Sequence, residues 1–233
     1  MAAGTFEGFP VDALRFLYEL SQNNDKSWFD ANKQRYKENI IAHVPAFVSA
    51  LGERLKAEIS PGIVYDTRTN GAGSMMRIYR DTRFSKDKTP YKTNMAFAFW
   101  EGPRKKMENP SFGLQFGTWG AGLYGGVWGF PKDMLEKYRA AVLDDKRGPA
   151  LERIIAGLQA TGEYEIGGDQ YKRVPREFDP EHPRAALLKY KGLHASSPLF
   201  DVEIVTTPDV VDVCAQHCLA MAPLQQWLVK VDG

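Results

Sequence analysis

Between positions 77 and 92 the chain places Arg77, Arg80, Arg83, Lys86, Lys88 and Lys92 against two acids, Asp81 and Asp87. This is a net of +4 inside a chain that is formally +1. All other residues together therefore net −3, so the positive charge is concentrated here rather than spread over the surface. Planar guanidiniums grip phosphate or carboxylate through paired N–H donors, and lysines add mobile point charges. That mixture suits a small molecule bearing phosphate or carboxylate, with Arg77, Arg80, Arg83 and Lys88 as its principal ligands. Tyr91 orients the ligand in this reading, and Asp81 positions an arginine or acts as a base. The full candidate binding set is Arg77, Arg80, Asp81, Arg83, Asp87, Lys88, Tyr91 and Lys92. Tyr79, Phe84 and Tyr91 interleave with the cations and offer faces on which a ring can stack. If a reaction occurs, transfer or hydrolysis at phosphorus is its natural class, because such sites work by positioning and charge stabilisation.

Three other accounts compete. Asp81, Asp87 and helix acids can satisfy the arginines while the lysines solubilise an exposed hairpin. A non-catalytic module can use the same cations to dock on an acidic protein or a nucleic-acid backbone, with affinity that falls steeply in salt. The arginines can also form a buried structural network. The near-neutral whole chain favours an anionic small molecule over nucleic acid. A weaker catalytic candidate is His182, in the tract 178–194 with Arg184, Lys189, Lys191 and His194. The string GAGLYG, 120–125, has dinucleotide-loop spacing but precedes a strand instead of a helix, so it is set aside. Cys214, His217 and Cys218 lack a fourth ligand nearby in sequence, and no metal site is expected. Which cofactor the chain uses, if any, is left open by these residues.

The elements that must hold the hairpin follow from periodicity. Val11, Leu14, Leu17 and Tyr18 have helical spacing over 10–20, and Asn24 or Asp25 caps a second helix carrying Trp28 and Phe29. From Lys33 a long amphipathic helix runs to Leu55, with Pro45 predicting a kink or a break. The tract 65–74 reads as a loop. Strand-like runs follow at 75–80, 94–100, 111–117 and 123–130, with connections too short for crossover helices, so neighbours are antiparallel. Gly113, Gly117, Gly125, Gly126 and Gly129 leave unusual space on these strands; a packed helix is the plainer account and a ligand floor the alternative. Helices are expected from Pro131, over 149–159 and over 208–229, the last interrupted or bent near Pro223, and a weak strand at 170–174.

This pattern predicts an α+β fold: an antiparallel sheet of about four to five strands covered by N-terminal and C-terminal helices. The 233 residues read as a single domain, with a helical part at 1–60, the sheet at 75–130 and a second helical part at 131–233. No apolar run approaches the ~20 residues that span a bilayer, so no membrane partner is expected. The first seventeen residues lack a basic segment followed by an apolar core, and the cytoplasm is the expected compartment. The oligomeric state is not set by any feature of the sequence.

The central segment also resembles a bacterial family, domain of unknown function 2461. Its hallmark is carried here by Arg77, Arg80, Asp81, Arg83, Phe84, Asp87, Lys88 and Tyr91. Asn23, Asn24, Trp28, Phe29, Lys33 and Tyr36 look like the same family, as does the tract from Phe178, and the likeness spans nearly the whole chain. The resemblance implies a cytoplasmic single-domain protein, and it implies no activity.

Overall fold

In a computed structural model, residues 5–83 and 85–233 are described; Phe84, which the sequence reading placed among the stacking rings, lies outside them. Helix α1 (Val11–Gln22) buries Ala13, Phe16, Leu17 and Leu20 along one face, as its spacing predicts. Asp25 caps α2 (Lys26–Asn39) by accepting the Trp28 N–H at 2.9 Å. The long helix expected from Lys33 onward is two helices. After a 3-10 turn at Ile41–His43, α3 (Val44–Glu58) restarts with Pro45 in its first turn, where a missing N–H costs no hydrogen bond.

The strands are β1 (Asn94–Trp100), β2 (Ser111–Gly117), β3 (Gly120–Val127), β4 (Glu165–Gly167) and β5 (Leu193–Ser196). They form one antiparallel sheet in the order β1-β2-β3-β5-β4. In register, Gly125 faces Ala195 and Ile166 faces the same Ala195 from the other side. Helices α4 (Lys132–Leu143), α5 (Arg147–Ala160) and α6 (Val210–Asp232) complete the α+β architecture, and α6 carries Pro223 in its interior.

Three strand expectations change. The run 75–80 is not a continuous strand: it meets the returning chain at two isolated bridges, Met75 to Phe97 and Tyr79 to Tyr91. Between them the register slips by two residues, since Lys92 N–H donates to Ile78 O while Met76 N–H donates to Ala96 O. Extra residues around Thr93 to Met95 thus bulge out of the ladder. The run 123–130 begins earlier, at Gly120, and absorbs the GAGLYG string. The strand expected at 170–174 is one bridge, Gln170 to Tyr190, while β4 and β5 went unforeseen. Segments of three and four residues are too short to display a period.

Contacts cluster into two compact units. Unit 1 holds the residues up to 99 with 113–122 and 199–216; unit 2 holds 100–112, 123–198 and 217–233. Unit 1 is centred on aromatic packing among Phe9, Phe47, Phe97 and Phe116. Gly8 approaches the chain so closely there, at φ +108°, that a Cβ would lie 2.2 Å from Thr206 O. Unit 2 is centred on Tyr138, whose hydroxyl donates to Leu187 O at 2.9 Å and whose ring stacks on Phe130. Arg104 binds both Asp133 and the buried Asp232, tying α4 to the end of α6. Arg184 donates to Val142 O at the end of α4, satisfying a carbonyl the helix itself cannot.

The strand glycine at 125 is explained by packing. A Cβ there would sit 2.9 Å from the Met221 Cβ on α6 and 3.2 Å from the Phe112 ring. Gly125→Val is expected to lower the urea midpoint, at an overpacking cost of about 1–3 kcal/mol, and an unchanged midpoint would mean that this space is not filled by α6.

Candidate functional site

The site begins with the cap of α2. Because Asp25 fixes where that helix starts, Phe29, Lys33, Tyr36 and Lys37 fall on one face, at spacings of four, three and one. The opposite face carries Arg35, whose guanidinium binds Asp12 at 2.5 and 2.6 Å and Glu19 at 2.6 Å, both on α1. Helix α2 is therefore held from behind by a bidentate ion pair while its front faces a cleft.

That cleft, of about 290 Å³, lies in unit 1 between α2 and the segments 69–70 and 77–79. The loop is closed by Ser74, which donates its N–H to Asp66 O at 2.7 Å and accepts the Asp66 N–H at 3.0 Å, and this brings Thr69 and Asn70 to the rim. Lys33, Lys37 and Arg77 all line the cleft, and no carboxylate does. Their charged groups make no hydrogen bond or ion pair among the described residues. Aromatic rings supply the walls. Tyr79, 50% exposed, lies 6.2 Å from Phe29, and Tyr36 lies 5.6 Å from it. Burial pushes the Tyr36 hydroxyl well above the usual phenol range, so it stays protonated.

Behind the rings is a clamp. The Asn24 side-chain amide donates to Tyr91 O at 3.0 Å and accepts the Tyr91 N–H at 3.1 Å. Tyr91 is thereby pinned beneath Phe29, the rings 4.1 Å apart and nearly parallel. At 3% exposure Tyr91 supports the wall and does not open onto the cleft.

Four of the remaining turn residues form two ion pairs. Arg83 binds Asp81 through Nε at 3.0 Å and Nη2 at 2.7 Å. Its hydrogen bonds, and after them the fields of Arg83 and Arg77, hold the Asp81 carboxyl far below the usual range. Arg80 pairs with Asp87 at 2.7 Å, and its buried Nε has no partner. Asp87 also accepts the Thr89 N–H and hydroxyl, which lower its carboxyl more than Arg80 does. Lys88 donates to Thr82 O at 2.8 Å. Lys92 is half-buried; burial first, then repulsion from Arg77 and Arg80, lowers its ammonium below the usual lysine value. His182 belongs to unit 2, where Nδ1 accepts the Arg184 N–H at 3.0 Å within a local turn.

Of the binding set read from the sequence, Arg77 lines the cleft, Tyr91 underlies its wall, and Arg80, Asp81, Arg83 and Asp87 form two ion pairs beside it. The sequence reading missed Lys33, Lys37, Thr69 and Asn70 as site residues. The signal for the lysines was present, because Phe29, Lys33 and Lys37 are spaced by four on a helix whose cap was legible. Among the described residues, no group of three or more His, Cys, Asp or Glu side chains is placed to hold a metal, and His217 Nδ1 instead meets the Tyr164 hydroxyl at 2.9 Å. No helix among them is long and apolar enough to cross a membrane.

Residues 12–227 match the family described as conserved hypothetical protein (DUF2461), and the chain belongs to that family. No curated protein matches it.

Two substitutions test the geometry. Asn24→Ala removes both bonds to Tyr91 and is expected to cost about 1–3 kcal/mol, with faster hydrogen exchange at the Tyr91 amide; unchanged exchange there would show that the clamp does not hold the turn. Lys92→Met removes a repelled cation and is expected to raise the thermal midpoint by roughly 1–2 °C. A fall of several degrees would show that Lys92 is attracted to its surroundings and not repelled.

Proposed function

We propose that this member of the DUF2461 family binds, in the cleft between α2 and the 77–79 segment, a small molecule that combines a phosphate group with a flat ring. One observation carries the reading: Lys33, Lys37 and Arg77 share a cleft with no carboxylate, while Arg80 and Arg83 in the neighbouring turn each pair with an aspartate of that turn. Like charges that share a cleft repel, and a bound anion would screen them. Three cations match a phosphate dianion better than a single carboxylate. The aromatic walls offer a stacking face through half-exposed Tyr79. At about 290 Å³ the cleft is at the small end of ligand sites and suits one ring system.

The reading stops at binding. Asp81, the base considered for a phosphoryl-transfer or hydrolytic step, is held so strongly in its ionised form by Arg83 that it is a poor proton acceptor near neutral pH. A cytoplasmic setting is part of the proposal: both cysteines, Cys214 and Cys218, are buried free thiols.

Thermal-shift and calorimetric titration with adenosine monophosphate, ribose 5-phosphate, adenosine and inorganic phosphate tests the proposal. Adenosine monophosphate near 100 times its dissociation constant is expected to raise the midpoint by about 5 °C or more, with the ring-free phosphates and the phosphate-free nucleoside weaker. Arg77→Ala and Lys33→Ala are each expected to weaken binding about tenfold or more, and Lys88→Ala to leave it unchanged. No shift with any phosphorylated ring compound, or an equal shift in Arg77→Ala, would sink the reading. Unselective binding of polyanions that collapses in salt would point to the docking module instead.

A further inference from the structure

Unit 2 contains a second cleft, of about 600 Å³, independent of the one described above. One face of α4 supplies Leu135, Arg139, Ala140 and Leu143, which succeed one another at helical spacing, and Tyr171 and Phe178 line the cleft from residues 171–178. The centre of the cleft is Arg139. Its side chain is only 12% exposed, and its guanidinium carbon lies 5.5 Å from the Tyr171 ring centre and 5.4 Å from that of Phe178. Its one hydrogen bond among the described residues is a long one, from Nη1 to Glu177 Oε1 at 3.4 Å. Nε is buried with no partner. Glu177 itself is 60% exposed, so its carboxylate is loosely held and can be displaced into solvent.

A guanidinium offers five donors, and a buried one needs a counter-charge held at close range. Here the two rings attract the cation but accept no N–H bonds in the ring plane, and the protein's own carboxylate is at the limit of bonding distance. The charges lining this cleft are balanced, Lys132 and Arg139 against Glu136 and Glu177. A dianion would be repelled by the two glutamates. A monovalent carboxylate would take the place of the Glu177 group on the Nη atoms, and the leucines and Phe178 would cover an apolar body. We infer that this cleft binds a monocarboxylate with an apolar chain or ring, through an end-on ion pair with Arg139.

The test is titration of the full chain, followed by NMR or calorimetry, with octanoate, octanol and octyl phosphate. Octanoate is expected to bind saturably at one site, at least tenfold more tightly than octanol and no less tightly than octyl phosphate. Arg139→Gln is expected to cost tenfold or more. Because that change removes a buried side chain, Ala140→Phe provides the second arm: Ala140 is exposed, so the larger ring fills the cleft without entering the core, and it is expected to abolish binding at an unchanged thermal midpoint. Saturation that survives Ala140→Phe, octanol binding as tightly as octanoate, or no saturation by octanoate at millimolar concentration would each overturn the inference.

Discussion

The carboxamide of Asn24 takes the part of a strand neighbour. It gives one hydrogen bond to the Tyr91 peptide and takes one from it, as a paired backbone residue would, although it is a side chain at the junction of α1 and α2. The ladder to the 75–80 segment is carried by Pro90 O and the Lys92 N–H, so the Tyr91 peptide groups face outward and the Asn24 side chain satisfies them there. Everything in the unit 1 cleft depends on it. With Tyr91 fixed, Phe29 has a surface to stack on, and the helix face bearing Lys33 and Lys37 is brought opposite Arg77.

Charge is handled in two ways within a few residues of chain. Asp81 with Arg83, and Asp87 with Arg80, are short-range pairs whose worth is modest at an exposed surface but which remove four charges from competition for a ligand. What remains unpaired is set by geometry. Arg77 shares the cleft with two lysines of α2 and no carboxylate, while Lys92 is pressed between burial and two arginines. In unit 2 the arrangement is the reverse: the cleft is balanced in charge, and a single guanidinium is poorly bonded within it. The two proposed sites would therefore differ in the ligand charge they take, the first through excess positive charge and the second through an unfilled set of donors.

Local rules carried much of the architecture. Apolar spacing placed α1, the Asx chemistry of Asp25 placed the start of α2, and Pro45 divided what periodicity alone joined. Short connections required antiparallel neighbours, and a count of charges selected the segment 77–92. These features depend on residues within about one turn or one hairpin of each other, so they can be read along the line of the chain. The short strands β4 and β5 could not, because three or four residues do not establish a period and their pairing is with distant chain.

Family membership, the α+β class and the place where positive charge gathers were thus determined by sequence. Which of those charges share a cleft without a carboxylate was decided only by the fold. A count of acids and bases does not say that Asp81 turns back onto Arg83, nor that Arg77 shares a cleft with two lysines from a helix some forty residues earlier. The reason is physical: pairing strength falls with distance through space, and the tertiary structure alone converts separation along the chain into that distance.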